Sequence, residues 1–347
     1  MTDTLGDLEV VSYRPSPDEW SWAFGRSEPV RRIRPGTVLE IYTEDCFGGN
    51  VTSTETLASR VCEYPFLNPT TGPFFVEGAQ PGDTLAVHFV SIEPARDWGV
   101  STTFPLFGAL TSTHVTATLQ PPLEERVWMY ELDRQARTAT FRASRGDAEL
   151  SLPMDPMHGT VGVAPAGFEA RQTITPDAHG GNMDSPEVRA GTTVYFGVGQ
   201  EGALLALGDG HARQGEGEAC GTAVECAMDT VVVIDLVPAG EAPDGTPWPR
   251  FETDDAIMSA GSARPLEDAY RISQTDLVTW LAGMSGLDVL DAYQLVSQVG
   301  QAPLANVCDP NYTCLAKLDK RWSLGAAPYG GIHQRLRQTA AAYLAQR

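Results

Sequence analysis

Through the first 250 residues, apolar side chains fall in short, often β-branched runs separated by turns rich in Gly, Pro and Thr. "DTLAVHFVSIEP" (83–94), entered through the "QPGD" turn, alternates well enough for a strand. "TTVYFGV" (192–198), "GALLALGD" (202–209) and "DTVVVIDLV" (229–237) are equally short and apolar. "ARTATFRAS" and "AELSLPMDP" suit a hairpin or meander. This pattern predicts packed antiparallel sheets rather than alternating β-α units. From about residue 255 the period changes. "PLEDAYRISQTDLVTWLAGMSG" (265–286) predicts a helix ending at glycine. "LDVLDAYQLVSQVG" (287–300) predicts a second, with Val289, Ala292, Tyr293, Val296 and Val299 on one stripe, Asp288 as N-cap and Gly300 as stop. "LANVCDPNYTCLAKLD" reads as two strands around an Asp-Pro-Asn turn, and "GIHQRLRQTAAAYLAQR" as a terminal helix. The expected fold is mainly β and sandwich-like, with a C-terminal α+β part. Three segments follow: 1–130 and 131–250 as β subdomains, the second carrying the glycine-rich motifs below, and 251–347 as the α+β subdomain.

Composition narrows the function. A chain of 347 residues with 42% hydrophobic and 20% charged positions can bury a large core. Its formal net charge of −21 repels phosphate backbones, so nucleic acid is excluded as a partner. The opening "MTDTLGDLEVVSYRPSPDEW" has neither a basic start nor an apolar stretch, so no signal peptide is expected. No run approaches the roughly 18 apolar residues of a membrane helix. The expectation is a cytoplasmic protein with no membrane partner. Its six cysteines, dispersed with no C-x-x-C pair, are expected to be reduced and mostly structural.

Two glycine-rich polar segments carry the candidate chemistry, "HGGNMD" (179–184) and "GDGHARQGEGE" (208–218). In the second, an apolar run leads into Asp209-Gly-His211. Residues two apart on an extended chain point the same way, so this carboxylate and imidazole can converge as ligands for zinc or a similar divalent ion. The alternative is a solvated turn in which Asp209 caps a backbone amide. Gln214, Glu216 and Glu218 also alternate; extended, they would form a water-facing edge or the wall of a polar cleft holding a general base. In "HGGNMD", His179 and Asp184 can ligate or orient, and the Asn182 amide can bind an amide or an oxyanion, unless the segment is only a hairpin. "TEDCFGGN" (43–50) adds Asp45. Glu77 reads as scaffold, His88 as a core histidine with a satisfied nitrogen, and His158 as a cleft candidate; His114 and His333 have no supporting context. No G-x-S-x-G elbow or P-loop occurs, and "GVGQEG" joins two strands, which excludes a dinucleotide fold.

These residues resemble the acetamidase/formamidase family. The resemblance rests on "GPFFVEGAQPGDTLAVHF", "GTVGVAPAG", "HGGNMD", "GDGHARQGEGEACGTAVE" and "LDAYQLVSQVG", in the family's order over about residues 35–320. It implies a β-rich fold with a C-terminal α+β part, hydrolysis of short aliphatic amides to carboxylate and ammonia, homo-oligomers, and in several members a divalent metal. By the same resemblance, Asp209 and His211 take the "GD-x-H" positions, Asn182 and Asp184 the "GGN-x-D", Glu216 and Glu218 the acidic "QG-[DE]-GE", and Asp45 an acidic glycine turn. The stretch 113–153 carries no family motif, and substrate choice could be set there.

The expected activity is therefore a metal-dependent amidohydrolase acting on formamide or acetamide. A divalent ion, zinc or else calcium or magnesium, would be held by Asp209, His211 and one or both of Asp45 and Asp184, and would activate water. Glu218 would be the general base, with His179 next in line. Asn182 or the Gly180–Gly181 amides would stabilise the oxyanion, and Glu216 and His158 would contact substrate. The rivals are urea, guanidine or another small C–N substrate on the same fold, a non-catalytic ligand-binding sandwich, and thiol chemistry through Cys220.

Overall fold

The computed structural model describes residues 2–5, 8–111, 123–242 and 245–347; His114 and part of the 113–153 stretch lie outside them. Two large sheets pack face to face. In the first, the strand order is Thr2–Leu5, Leu8–Tyr13, Val38–Thr43, Met228–Val237, Thr84–Pro94, Thr193–Gly197, Arg250–Glu252, Ala256–Ala263, Tyr312–Asp319, Leu304–Asn306. Strands from all three sequence segments thus share one sheet. The second runs Glu149–Pro153, Thr138–Arg142, Arg126–Asp133, Trp98–Thr103, Val224–Glu225, Leu205–Arg213, Met157–Gly162, Gly180–Asn182, with Thr70–Val76 and Arg31–Ile33 added beside Leu205–Arg213. Pairing is antiparallel except for Leu8–Tyr13 with Val38–Thr43 and Arg31–Ile33 with Thr70–Val76, which are parallel. The hairpin expected from residues 136–153 forms, with Phe141 opposite Leu150.

Between the sheets, Val87, Phe89, Val194, Phe196 and Ile234 of the first meet Phe74, Val76, Val161, Leu205 and Leu207 of the second in one buried cluster. The first sheet is covered on its other face as well. The terminal helix Ile332–Leu344 lays Ile332, Leu336, Ala340 and Tyr343 over Val38, Ala86, Tyr195 and Val233. Helices Leu266–Ser285 and Val289–Val299 place Leu277, Trp280, Leu281, Ala292 and Val296 over Ile257, Ala316 and Leu318. Burial on both faces explains why its central strands read as nearly unbroken apolar runs rather than a strict alternation. The second sheet keeps an outer face for loops and for the polar site.

The helix limits follow their capping signals. Gly286 adopts the left-handed conformation (φ 73) and its N–H returns to the Ala282 carbonyl at 3.0 Å, closing the first helix. The Asp288 carboxylate accepts the Leu290 N–H at 2.8 Å, opening the second. The predicted stripe is shifted: Ala292 and Val296 are buried, with Leu295 and Val299 packed beside them, while Val289 and Tyr293 are exposed. This short helix buries a narrow face against its neighbour, and residues 289 and 293 fall on the flank. His88 is a core residue, with Nδ1 2.9 Å from Thr193 Oγ1.

One buried ion pair ties the helical layer to the first sheet. The Arg250 guanidinium, 1% exposed, donates Nε to Asp276 Oδ2 at 2.9 Å and Nη2 to Oδ1 at 2.8 Å, and it stacks 4.8 Å from the Trp280 ring. Ser259 donates to the same carboxylate at 2.5 Å. Removing one member of such a pair strands a buried charge, which typically costs about 3–5 kcal/mol. Asp276→Ala should therefore lose about that much unfolding free energy in urea titration. Pairing Asp276→Leu with Arg250→Met should cost clearly less than the single change.

Candidate active site

The strand Leu205–Arg213 changes partner in its middle. Met157–Gly162 holds one edge, with pairings from Ala206 to His211. On the other edge, Leu205–Gly208 pair with Thr70–Val76, whereas His211 and Arg213 pair with Val224–Glu225. Between the two, Asp209 sits in the left-handed region (φ 56) and sends its N–H to the Glu44 carbonyl at 3.0 Å. Aspartate tolerates this conformation better than most non-glycine residues. A Cβ on Gly210 would strike Cys226 O and Met228 Cγ, so the ladder can close around the break only with glycine there.

The break gathers Asp209 and His211 as the Asp-Gly-His spacing predicts, and buries both, at 2% and 1% exposure, which excludes a solvated turn. His211 Nε2 lies 3.1 Å from Asp209 Oδ1 and 3.2 Å from Glu225 Oε2. Asp184 and Glu218 close in from the other side: one ligand atom each from Asp184, His211 and Glu218 lie within 4.8 Å of one another, as do atoms from Cys46, Asp209 and Glu225. Room for this comes from Gly159. A Cβ on it would collide with Asp184 Oδ1 and Asp209 Oδ2 and reach His211 Cε1 at 3.0 Å.

Neutral amides orient the acids. Asn68 Nδ2 donates to Asp209 Oδ2 and to Asn182 Oδ1, both at 3.0 Å. Asn182 Nδ2 donates to Asp184 Oδ2 at 2.6 Å and Asp309 Oδ2 at 2.8 Å. Gln214 Nε2 donates to the Asp184 and Ala305 carbonyls at 2.6 and 3.0 Å, so its Oε1 must face His211 Nδ1, 2.9 Å away. His211 Nδ1 then carries a proton. A neutral imidazole would present its Nε2 lone pair to two carboxylates, a repulsion relieved only by protonating Nε2 to the imidazolium or by a cation between them.

The site holds buried Asp184, Asp209, Glu218, Glu225 and Asp309 against a single imidazole. Burial raises Asp184, Glu218 and Asp309 well above the usual carboxylate range, and mutual repulsion adds to it. Burial likewise pushes Glu225 up to about 7 despite His211. Burial opposes the charge on His211, but Glu225 and Asp209 outweigh it and raise the imidazole well above its ordinary value. Burial also opposes ionisation of Asp209, yet His211 holds it below its ordinary value. Asp184 Oδ1 and Glu225 Oε2 have no hydrogen-bond donor. Surplus negative charge, orphaned carboxylate oxygens and a glycine cradle together fit a divalent cation. The acids floor a cavity of about 470 Å³.

Several expected residues are placed elsewhere. Asp45 is buried, but its carboxylate pairs with Arg96 and accepts the Phe47 and Gly49 N–H groups, both at 2.9 Å. His158 spends Nδ1 on the Gly208 carbonyl and Nε2 on Thr230, at 2.9 and 2.7 Å. Burial lowers its pKa to about 4, and it does not line the cavity. His179 lines a different cavity of about 500 Å³. Glu216 is exposed, because Gly217 (φ 82) and Glu218 (φ 42) break the extended alternation that would have aligned it with Glu218. The Asn182 amide is spent on Asp184 and Asp309, and the Gly180 N–H on the Asp177 carbonyl, so neither is free for an oxyanion. The Cys220 thiol is raised by burial and by Glu218 and lies outside the cavity. Asn68, Glu225 and Asp309 escape sequence reasoning. Glu225 ends the "ACGTAVE" stretch and Asp309 sits in a turn-like "CDPN", where nothing local marks them.

A sequence model of the Acetamidase/Formamidase family matches residues 26–167 and 132–265. The chain is 24% identical to a formamidase of Methylophilus methylotrophus over 270 residues, 64% of this chain and 65% of that protein. It is 25% identical to an acetamidase of Mycolicibacterium smegmatis over 283 residues, 67% and 68% of the two. The matched region thus spans about two thirds of the length of these curated relatives. The crystal structure of an acetamidase from Yersinia enterocolitica superposes with a TM-score of 0.84 at 39% identity, covering 92% of this chain and 94% of that one.

His211→Ala and Asp209→Ala should each remove most divalent metal from the purified protein, as counted by mass spectrometry, and the double variant should be scarcely worse than either. Gln214→Ala, which frees the imidazole to rotate, should weaken metal affinity roughly 10–100-fold in competition with a chelator. Full metal content in both single variants would reduce the pair to a structural contact.

Proposed function

The chain belongs to the acetamidase/formamidase family, and from that premise we propose that it hydrolyses the C–N bond of carboxamides, formamide and acetamide being the simplest, to carboxylate and ammonia. The observation that carries this reading is the convergence of Asp184, Asp209 and His211 over the bare Cα of Gly159, with Glu218 beside them, where Asp184, Asp209 and Glu218 line a cavity. The donor set suits a divalent ion, and an imidazole among carboxylates favours zinc over calcium or magnesium. Asp184, Asp209 and His211 would hold it, and Glu225, 3.2 Å from His211 Nε2, stands within reach to complete the set. When bound, such an ion polarises a carbonyl and lowers the pKa of water toward ~7.

The remaining work falls to the chain's own groups. Asn68 and Asn182 hold Asp209 and Asp184 in place through neutral hydrogen bonds. Gln214 fixes the His211 tautomer. Cys308 Sγ donates to Glu218 Oε2 at 3.2 Å, which leaves Oε1 as the atom that accepts a proton from the attacking water. As the C–N bond breaks, the same oxygen returns that proton to the departing nitrogen, which leaves as ammonia. Burial strengthens every one of these electrostatic terms by excluding water.

The purified protein should release ammonia from formamide and acetamide. Glu218→Gln keeps the side chain's size but removes the proton acceptor, so kcat should fall about 10²–10⁴-fold with metal content retained. Loss of the metal would make Glu218 a ligand, and unchanged turnover would remove it from the reaction. Cys220→Ala should keep wild-type ammonia release; a loss of more than about a hundredfold in a folded protein would point to a thiol nucleophile.

A further inference from the structure

The cavity is much larger than a formamide or acetamide needs, and its two halves differ in chemistry. The floor is the acid cluster. The wall is mostly apolar, built from Tyr64, Leu67, Phe104, Leu106, Phe107 and Ile174. We propose that the site is shaped for uncharged primary amides with a bulky apolar acyl group, aryl or medium-chain alkyl, whose amide meets the acids while the acyl group fills this wall. The inference rests on the amide-hydrolase reading above and names the substrate class within it.

Size is the first support. At about 470 Å³ the cavity holds the equivalent of roughly fifteen waters at about 30 Å³ each, whereas formamide has three heavy atoms. Volumes of this order normally accompany larger, mostly apolar ligands. Rigidity is the second. The loop bearing Phe104–Phe107 is stapled to the turn after Glu218: Ala109 N–H donates to Ala219 O at 2.9 Å, a Cβ on Gly108 would reach Cys220 O at 2.7 Å, and the Phe107 ring occupies the space a Cβ on Gly221 would need. Tyr64 and Leu67 are stapled likewise, Tyr64 Oη to Gln172 Oε1 at 2.5 Å and Thr173 Oγ1 to Leu67 O at 2.9 Å. The apolar wall is thus held at a set place relative to the acids.

Charge is the third support. Among the described residues lining the cavity there is no Lys, Arg or His, while Asp184, Asp209, Glu218, Glu225 and Asp309 all face it. An acyl group bearing a carboxylate would find no counter-charge. Leu106, 61% exposed with φ 63, holds an apolar side chain at the rim in a conformation leucine disfavours. Solvent gains nothing from that arrangement; an apolar ligand does.

The test is ammonia release by the full-length enzyme from formamide, acetamide, butyramide, hexanamide, phenylacetamide and succinamate. Each buried methylene is worth roughly fourfold. We therefore expect kcat/KM to rise at least about tenfold from acetamide to hexanamide or phenylacetamide, mainly through KM, and succinamate to be poor. Phe104→Ala, with Ile174→Ala as second variant should the first not fold, should lower the phenylacetamide-to-acetamide ratio of kcat/KM at least about fivefold. Acetamide turned over as well as or better than both larger amides would overturn the proposal while leaving amide hydrolysis intact. Ammonia from none of the series, in a folded metal-loaded protein, would overturn the hydrolase reading and this one with it.

Discussion

The constraint from which the site follows is the burial of five carboxylates around one imidazole. An ionised carboxylate taken out of water without a partner costs several kcal/mol. Apart from His211, this chain satisfies the acids with neutral donors, the amides of Asn68 and Asn182 and the Cys308 thiol. Neutral donors fix geometry and leave the negative potential in place. A short distance away, Arg96 pairs directly with both Glu44 and Asp45. One acidic region is therefore partly compensated by a guanidinium, and the other keeps a surplus of negative charge that the proposed cation would meet.

That arrangement needs a rigid frame, which the two sheets supply. The first sheet is buried on both faces, so the second can turn its outer face to loops without losing its core. The partner change along Leu205–Arg213 is a place where a central strand gives up ladder hydrogen bonds, and the backbone amide freed there is taken by Glu44 O. Such a break persists only when its surroundings over-determine it. Here Gly210 and Gly159 make the space, and strands on both sides hold the register.

The cavity separates two tasks. Its floor, drawn from Asn182–Asp184, Asp209, Glu218, Glu225 and Asp309, concentrates charge; its wall, drawn from loops stapled to the same elements, carries almost none. Because the Phe104–Phe107 loop is fixed to the turn that carries Glu218, recognition of the acyl group and placement of the base are mechanically linked in the proposed reaction.

Local sequence determined the elements. The apolar runs gave their strands, Gly286 and Asp288 closed and opened their helices, and Asp-Gly-His kept Asp209 and His211 together, though through a left-handed Asp209 rather than the extended segment expected. These are short-range effects, readable because period and turn chemistry act over a few residues. Which acid would carry which burden was not readable in that way. Asp45 looked like Asp184 until Arg96 arrived from the bend before Trp98–Thr103. His158 looked like a cleft histidine until Thr230 took its second nitrogen, and the alternation of Gln214, Glu216 and Glu218 failed at two left-handed residues. Glu225 joined the cluster from a two-residue strand and Asp309 from a turn, neither with any marking of its own. The burden on a charged group depends on its partners, and those come from strands and loops far apart in the chain, so only the tertiary structure could assign it.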